Sequence, residues 1–160
     1  NQLYAQKSSI VRTAKVKIYY SESGSFVPQS LIDFSKCPTT IDIDVENIGY
    51  GAEHGQKLDS CLIKIDNQDV KLNYNIMIKK FSDPINADPI FIPAGYFYSA
   101  GFYFSTLSNS PFSNGNSFSN SVILPLPALR RVFFPFNIDL CPNSNTCYGM
   151  WFSVDIDDTK

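Results

Sequence analysis

Apolar and polar residues alternate with a period of two along most of this chain, a pattern that fits extended strands and little else. Successive strand side chains point to opposite faces, so every second residue meets the same surface. Ala14, Val16, Ile18 and Tyr20 alternate with Lys15, Lys17 and Tyr19; Ile41, Ile43 and Val45 alternate with Asp42, Asp44 and Glu46. Cys61, Ile63 and Ile65 precede a turn at Asp66-Asn67-Gln68-Asp69, and Val70, Leu72, Tyr74, Ile76 and Ile78 follow it as the second arm of a hairpin. Ile90-Phe91-Ile92 precedes a Pro93-Ala94-Gly95 turn, and Tyr96 to Phe104 is apolar on both faces, as a central strand or a partner surface would be. Val132 to Leu140 and Tyr148 to Ile156 complete the set, with Pro135 marking its strand as an edge or a bulge because proline lacks the N–H a ladder needs. No segment carries a helix period with caps. The expected fold is all-β, an antiparallel β-sandwich of about eight strands. Residues 1–13 form an N-terminal arm and 14–158 a single domain. Phe 13, Tyr 9 and Trp 1 supply the aromatic surface such sheets favour.

The four cysteines, Cys37, Cys61, Cys141 and Cys147, lack the close paired spacing of a zinc site, and the single His54 cannot complete one. Of three possible pairings, strand parity favours Cys141 with Cys147. If Leu140 and Tyr148 point inward, both thiols point outward across one hairpin. Cys37–Cys61 then follows by elimination. Two disulfides imply an oxidising compartment, hence a secreted or cell-surface protein. The polar opening Asn1-Gln2-Leu3-Tyr4 fits an exported chain after loss of a leader.

Several function classes find no support. Thirteen basic against fifteen acidic residues give no basic excess, so no nucleic-acid partner is expected. No stretch reaches the roughly 20 apolar residues of a helical membrane span. No triad, metalloprotease or phosphate-loop motif occurs, and His54 reads as a loop histidine between Gly51 and Gly55. No catalytic residue, cofactor or metal is therefore assigned, and the chain is read as a non-enzyme. Asp42, Asp44 and Glu46 could serve a glycosidase, but Lys15 and Lys17 on a neighbouring strand answer them more simply. Asp155-Ile156-Asp157-Asp158 lacks the glycine and distal glutamate of a calcium loop and reads as a solvated strand end.

Residues 105–121 hold seven Ser and four Asn around Phe112 and Phe118, a long loop that is either a mobile tip or an adaptable recognition surface. In the arm, Leu3, Tyr4, Ile10 and Val11 are apolar with nothing evident to tie them down, which suits a segment donated to a neighbour's sheet edge. Trp151 faces outward by parity, with Cys147 and Gly149.

Ile43-Asp44-Val45-Glu46-Asn47-Ile48-Gly49-Tyr50-Gly51-Ala52 resembles the second strand and Asn-x-Gly turn of CARDB-type, cell-adhesion-related immunoglobulin-like domains of prokaryotic surface proteins. Val122 to Leu129, the strand from Val132 and the closing Trp151-Phe152-Ser153-Val154-Asp155 are similar to that family's Pro/Leu turn and final hairpin. The resemblance covers about 45 residues; the stretch 67–121 and the cysteines depart from the family's pattern. It implies an immunoglobulin-like sandwich with an adhesive role and no catalytic residues. None of the thirteen Asn lies in an N-x-[ST] sequon, which fits a prokaryotic source. The expected function is a secreted or cell-surface structural or adhesive module, such as a filament or pilus subunit joined by strand or edge complementation, with protein as its partner. The alternative is a carbohydrate- or small-ligand-binding domain that uses exposed aromatics among Tyr96, Tyr98, Tyr103, Phe112, Phe118 and Trp151.

Overall fold

The computed structural model describes residues 9–23, 32–87, 90–92, 94–106, 116–126, 129–143 and 146–159. All regular elements among them are strands: β1 (Ser9–Glu22), β2 (Ile32–Asp33), β3 (Thr40–Gly49), β4 (Ala52–Ile65), β5 (Gln68–Phe81), β6 (Ile85–Ala87), β7 (Ile90–Ile92), β8 (Gly95–Thr106), β9 (Asn116–Pro125), β10 (Arg131–Asn143) and β11 (Thr146–Asp157). One antiparallel sheet runs in the order β10-β11-β1-β3-β4-β5-β8-β9, with β2 paired to β4, and β6 and β7 form a separate hairpin. The end strands β9 and β10 approach each other, and Asn120 Nδ2 donates to the carbonyl of Pro135 at 3.0 Å. The sheet thus curls into a nearly closed barrel. The all-β, antiparallel expectation holds, and every strand except β6 and β7 belongs to one continuous sheet.

Period-two alternation maps directly onto burial. Ala14, Val16 and Ile18, Ile41, Ile43 and Val45, and the even-numbered residues from Val70 to Ile78, Tyr96 to Phe104, Val132 to Leu140 and Tyr148 to Ile156 face one shared core. Aromatic rings meet across the interior: Phe102 lies edge-on to Phe136 and Phe152, each at 5.0 Å between centroids, and Tyr20, Phe34 and Phe152 form a triad at 5.0–5.7 Å. Such edge-to-face pairs add about 0.5–1.5 kcal/mol each beyond area burial. Pro135 does lie on the strand that ends the sheet path, where its missing N–H breaks no central ladder.

Three segments differ from the sequence reading. Residues 9–13 are the first part of β1, paired with β3 from Ser9↔Asn47 to Thr13↔Asp44, so this portion of the expected arm belongs to the sheet; residues 1–8 lie outside the described residues. β9 begins at Asn116, inside the Ser/Asn-rich segment read as a loop. Ser and Asn favour turns locally, but Phe118, Val122 and Leu124 keep the inward period and pack against the core. β4 begins at Ala52, so His54 sits on a strand, opposite Glu46 and Lys79.

Two turns explain the long arms of the sheet. Asp66 and Asn67 both adopt positive φ, 47° and 66°, the geometry of a two-residue type I′ hairpin turn. Asn47 Oδ1 accepts a hydrogen bond from Gly49 N at 2.8 Å, and Gly49, Tyr50 and Gly51 then turn the chain through positive φ. Beyond that turn, β3 and β4 pair only at Gly49↔Ala52, Asn47↔Glu53 and Glu46↔His54. They part at the buried Gly55, where a Cβ would meet the carbonyl oxygen of Asp44 at 2.9 Å and the Ile43 and Val45 methyls at 3.0 and 3.1 Å. From there the strands diverge, leaving a seam that the Cys37–Cys61 disulfide spans, its Cα atoms 5.2 Å apart.

Candidate functional site

At one end of the barrel the inward period continues past the apolar residues into charged ones. Arg12 precedes Ala14 on the inner face of β1, Glu53 precedes Gly55 on β4, Lys80 follows Ile78 on β5, and Asp158 follows Ile156 after β11. Asp158 is fully buried. Its Oδ1 accepts from Arg12 Nε at 2.6 Å; its Oδ2 accepts from an Arg12 terminal nitrogen at 2.9 Å and from the Tyr98 hydroxyl at 2.7 Å. The other arm of Arg12 donates to Glu53, and Lys80 Nζ lies 3.9 Å from Glu53 Oε2. Asp158 N also donates to the carbonyl of Arg130 at 2.8 Å.

The arrangement fixes protonation as well as position. Burial opposes the charge on Arg12, but its hydrogen bonds to Asp158 and Glu53 outweigh burial and raise its pKa. Burial, then the hydrogen bond to Asp158, raises the pKa of Tyr98. Bidentate guanidinium–carboxylate pairs are the strong, directional kind. Here the pair links the start of β1 to the residue after β11 and to β4, closing the sheet end like a clasp. Tyr96 lies over this layer with three cations around its ring: Arg12 at 5.7 Å, Lys80 at 5.8 Å and Arg130 at 5.5 Å from the centroid.

The outer face of β10, β11 and β1 carries a different feature. The registers place Phe133 beside Asp155 and Lys17, Pro135 beside Ser153 and Tyr19, and Asn137 beside Trp151 and Ser21. Phe133, Tyr19 and Trp151 are 60%, 57% and 47% exposed. Diagonal neighbours on a sheet lie within reach of aromatic side chains. The three rings and Pro135 therefore form one apolar patch with a polar rim.

The structure sorts the residues singled out from sequence. Both disulfides form as parity and elimination indicate, Cys141–Cys147 with Cα atoms 4.1 Å apart. Trp151 faces outward as expected. Ile10 and Val11 are exposed on β1, while Leu3, Tyr4 and Phe112 lie outside the described residues. Phe118 points inward against Phe104 at 6.2 Å, and Tyr96 and Tyr98 are interior, so none of these three offers an open stacking face. Lys15 does face Asp42, with Nζ to Oδ1 at 3.0 Å, whereas Lys17 lies between Thr40 and Asp155, and Asp44 takes the Thr13 hydroxyl at 2.8 Å. Asp158 is not the solvated strand end that composition suggested. Arg12, Glu53, Arg130, Tyr19 and Phe133 were not singled out at all. The signal was available for Arg12 and Asp158, because each simply extends the parity of its strand by one inward step.

At the opposite end of the barrel, the Tyr148 hydroxyl donates to Asp66. That hydrogen bond, then burial, pushes the Tyr148 pKa up to about 12. Burial likewise raises Tyr20 and Tyr98. A raised phenol pKa means the fold favours the neutral form. Its stabilisation is complete below the ordinary value near 10 and is lost as pH climbs through about 12. We expect unfolding free energy to fall steeply above pH ~10, with Tyr20, Tyr98 and Tyr148 ionising only as the sheet opens. Tyrosinate absorbance and circular dichroism, recorded along the same alkaline titration, check this. Nine tyrosines ionising together near pH 10 with the sheet intact would overturn it.

No group of three or more His, Cys, Asp or Glu side chains poised to hold a metal occurs among the described residues. Among the same residues, no helix is long and apolar enough to cross a membrane. Set against known proteins, the chain matches no family model, no curated protein and no solved structure.

Proposed function

We propose that this chain is a non-enzymatic secreted or cell-surface module with a structural or adhesive role, joining protein partners as a filament or pilus subunit does. The observation that carries the reading is the outer patch of Tyr19, Phe133, Pro135 and Trp151, which lies on β10, β11 and β1 at one end of the sheet path. Exposed aromatic clusters with polar rims are what interfaces use. A neighbour's strand could insert between the end strands β9 and β10, which among the described residues form no ladder and meet through the Asn120–Pro135 hydrogen bond. We read the sheet as an immunoglobulin-like sandwich of the CARDB-like, adhesion-related kind, with β10-β11-β1-β3 facing β4-β5-β8-β9; the short β3–β4 ladder supports that division. Two disulfides support an extracellular setting, and the absence of sequons fits a prokaryotic one.

Electron microscopy and light scattering of the concentrated protein test the reading. The wild type is expected to self-associate, and Phe133→Ser with Trp151→Ser to abolish association while leaving the sheet intact by circular dichroism. A wild type that stays monomeric at millimolar concentration removes self-assembly.

A second reading, a carbohydrate- or small-ligand-binding domain, is favoured by an outer groove of about 320 Å³ over Gly101, whose open surface is almost wholly apolar and is lined by Leu58 and Tyr103. Such a surface suits the apolar face of a sugar ring or another small ligand. A glycan array without hits, together with Tyr103 ring resonances unmoved by sugars, would count against it.

A further inference from the structure

We propose that the charged end of the barrel binds an oxyanion, a sulfate or phosphate group, between Arg130 and Lys80 above the ring of Tyr96. The layer holds three cations, Arg12, Lys80 and Arg130, and two carboxylates, Glu53 and Asp158. Both carboxylates are committed to Arg12, and Glu53 reaches Lys80 only at 3.9 Å. Arg130 makes no ion pair among the described residues; its guanidinium there lies over the neutral Tyr96 ring, 5.5 Å from the centroid. Counted over the described residues, the site carries one positive charge in excess at a partly desolvated position, where an added anion gains more than it would in open water.

Geometry places the opening on the outside of the layer. Arg12, Glu53 and Asp158 are sealed beneath, with side chains 7%, 14% and 0% exposed, while Lys80 is 26% exposed and Arg130 is partly exposed. A guanidinium fork takes two oxygens of a tetrahedral oxyanion side by side, and an ammonium takes a third as a point charge. Both cations share the Tyr96 ring, Lys80 Nζ at 5.8 Å and Arg130 Cζ at 5.5 Å from its centroid. This site is on the inner parity of the strands at the barrel end, apart from the outer aromatic patch, and does not depend on what that patch meets.

Isothermal titration of the whole chain with inorganic phosphate, at fixed ionic strength in chloride, tests the proposal. Saturable binding is expected, accompanied by a shift of the Arg130 side-chain Nε–H resonance. Arg130→Gln should weaken affinity at least tenfold, Arg130→Lys should weaken it less, and Lys17→Gln, on the outer face, should leave it unchanged. A sulfated disaccharide titrated in parallel distinguishes the sources. Tighter binding of the disaccharide, lost in Arg130→Gln, assigns the site to an ester on a glycan; equal binding assigns it to the free ion. No saturable heat with either probe, or the same affinity in the wild type and in Arg130→Gln, overturns the site.

Discussion

Asp158→Ala is expected to destabilise this protein by about 3–5 kcal/mol, the cost of removing one partner from a buried, hydrogen-bonded ion pair. The side chain is fully buried and takes three donors, two from Arg12 and one from Tyr98. Its loss leaves the Arg12 guanidinium, 7% exposed, with Glu53 alone, and leaves the Tyr98 hydroxyl without its acceptor. Each abandoned buried donor carries its own desolvation cost of about 1–3 kcal/mol. For a domain of this size the melting temperature should fall by roughly 6–20 °C, at 2–4 °C per kcal/mol. Urea denaturation should show a lower midpoint at unchanged slope. Replacing Arg12 and Asp158 together with Leu should cost less than the sum of the two single losses, because the two side chains share one ion pair. A penalty for Asp158→Ala below about 1 kcal/mol, the worth of an exposed pair, would mean that water reaches this carboxylate.

That carboxylate also shows where the sequence was legible and where it was not. Period two placed Val154 and Ile156 inward correctly, and the same count places Asp158 inward. Composition argued the reverse, since an acidic C-terminal run usually meets water. The geometric signal was right because the backbone stays extended for one step beyond the last apolar residue, and because Arg12, equally hidden by its charge, extends β1 inward to meet it. Asn116 to Ser121 failed for a related reason. Ser and Asn carry turn propensity, yet pairing with β8 from Tyr103↔Ser117 to Ser99↔Ser121 overrides it, and only Phe118 betrayed the strand. The outer patch was half legible. Parity turned Trp151 outward, but Tyr19 comes from a strand over a hundred residues away in sequence, and no local pattern places β1 beside the β10-β11 hairpin. The Cys141–Cys147 bridge was fully legible, since parity needs only the strands on either side of a turn, and Cys37–Cys61 followed from it by elimination.

The two disulfides should not be equivalent. Replacing Cys37 and Cys61 with Ala is expected to cost about 3.5 kcal/mol, and replacing Cys141 and Cys147 about 2.4 kcal/mol, from loop-closure entropy alone. The sequence separations of 24 and 6 set that order. The fold widens the gap. Cys141 and Cys147 join strands already zipped from Arg131↔Asp157 to Leu140↔Tyr148, so hydrogen bonds hold the hairpin when the bridge is gone. Cys37 and Cys61 span the seam where β3 and β4 have separated, and the ladder there ends at Glu46↔His54. Beside the bridge, the segment that carries Cys37 is held by lighter ties: the Tyr20 hydroxyl on the Pro38 carbonyl at 2.8 Å, Ile18 N on the Thr39 carbonyl at 2.9 Å, and Cys37 N on the Phe34 carbonyl at 2.9 Å. Cutting it should therefore also loosen the seam within the native state. Amide exchange along Thr40–Val45 and Gln56–Ile63 should quicken in the Cys37/Cys61 variant and stay unchanged in the Cys141/Cys147 variant. Chemical denaturation of both variants ranks them. If losing the short-loop bridge costs more than losing the long-loop one, the seam is held by something other than its disulfide.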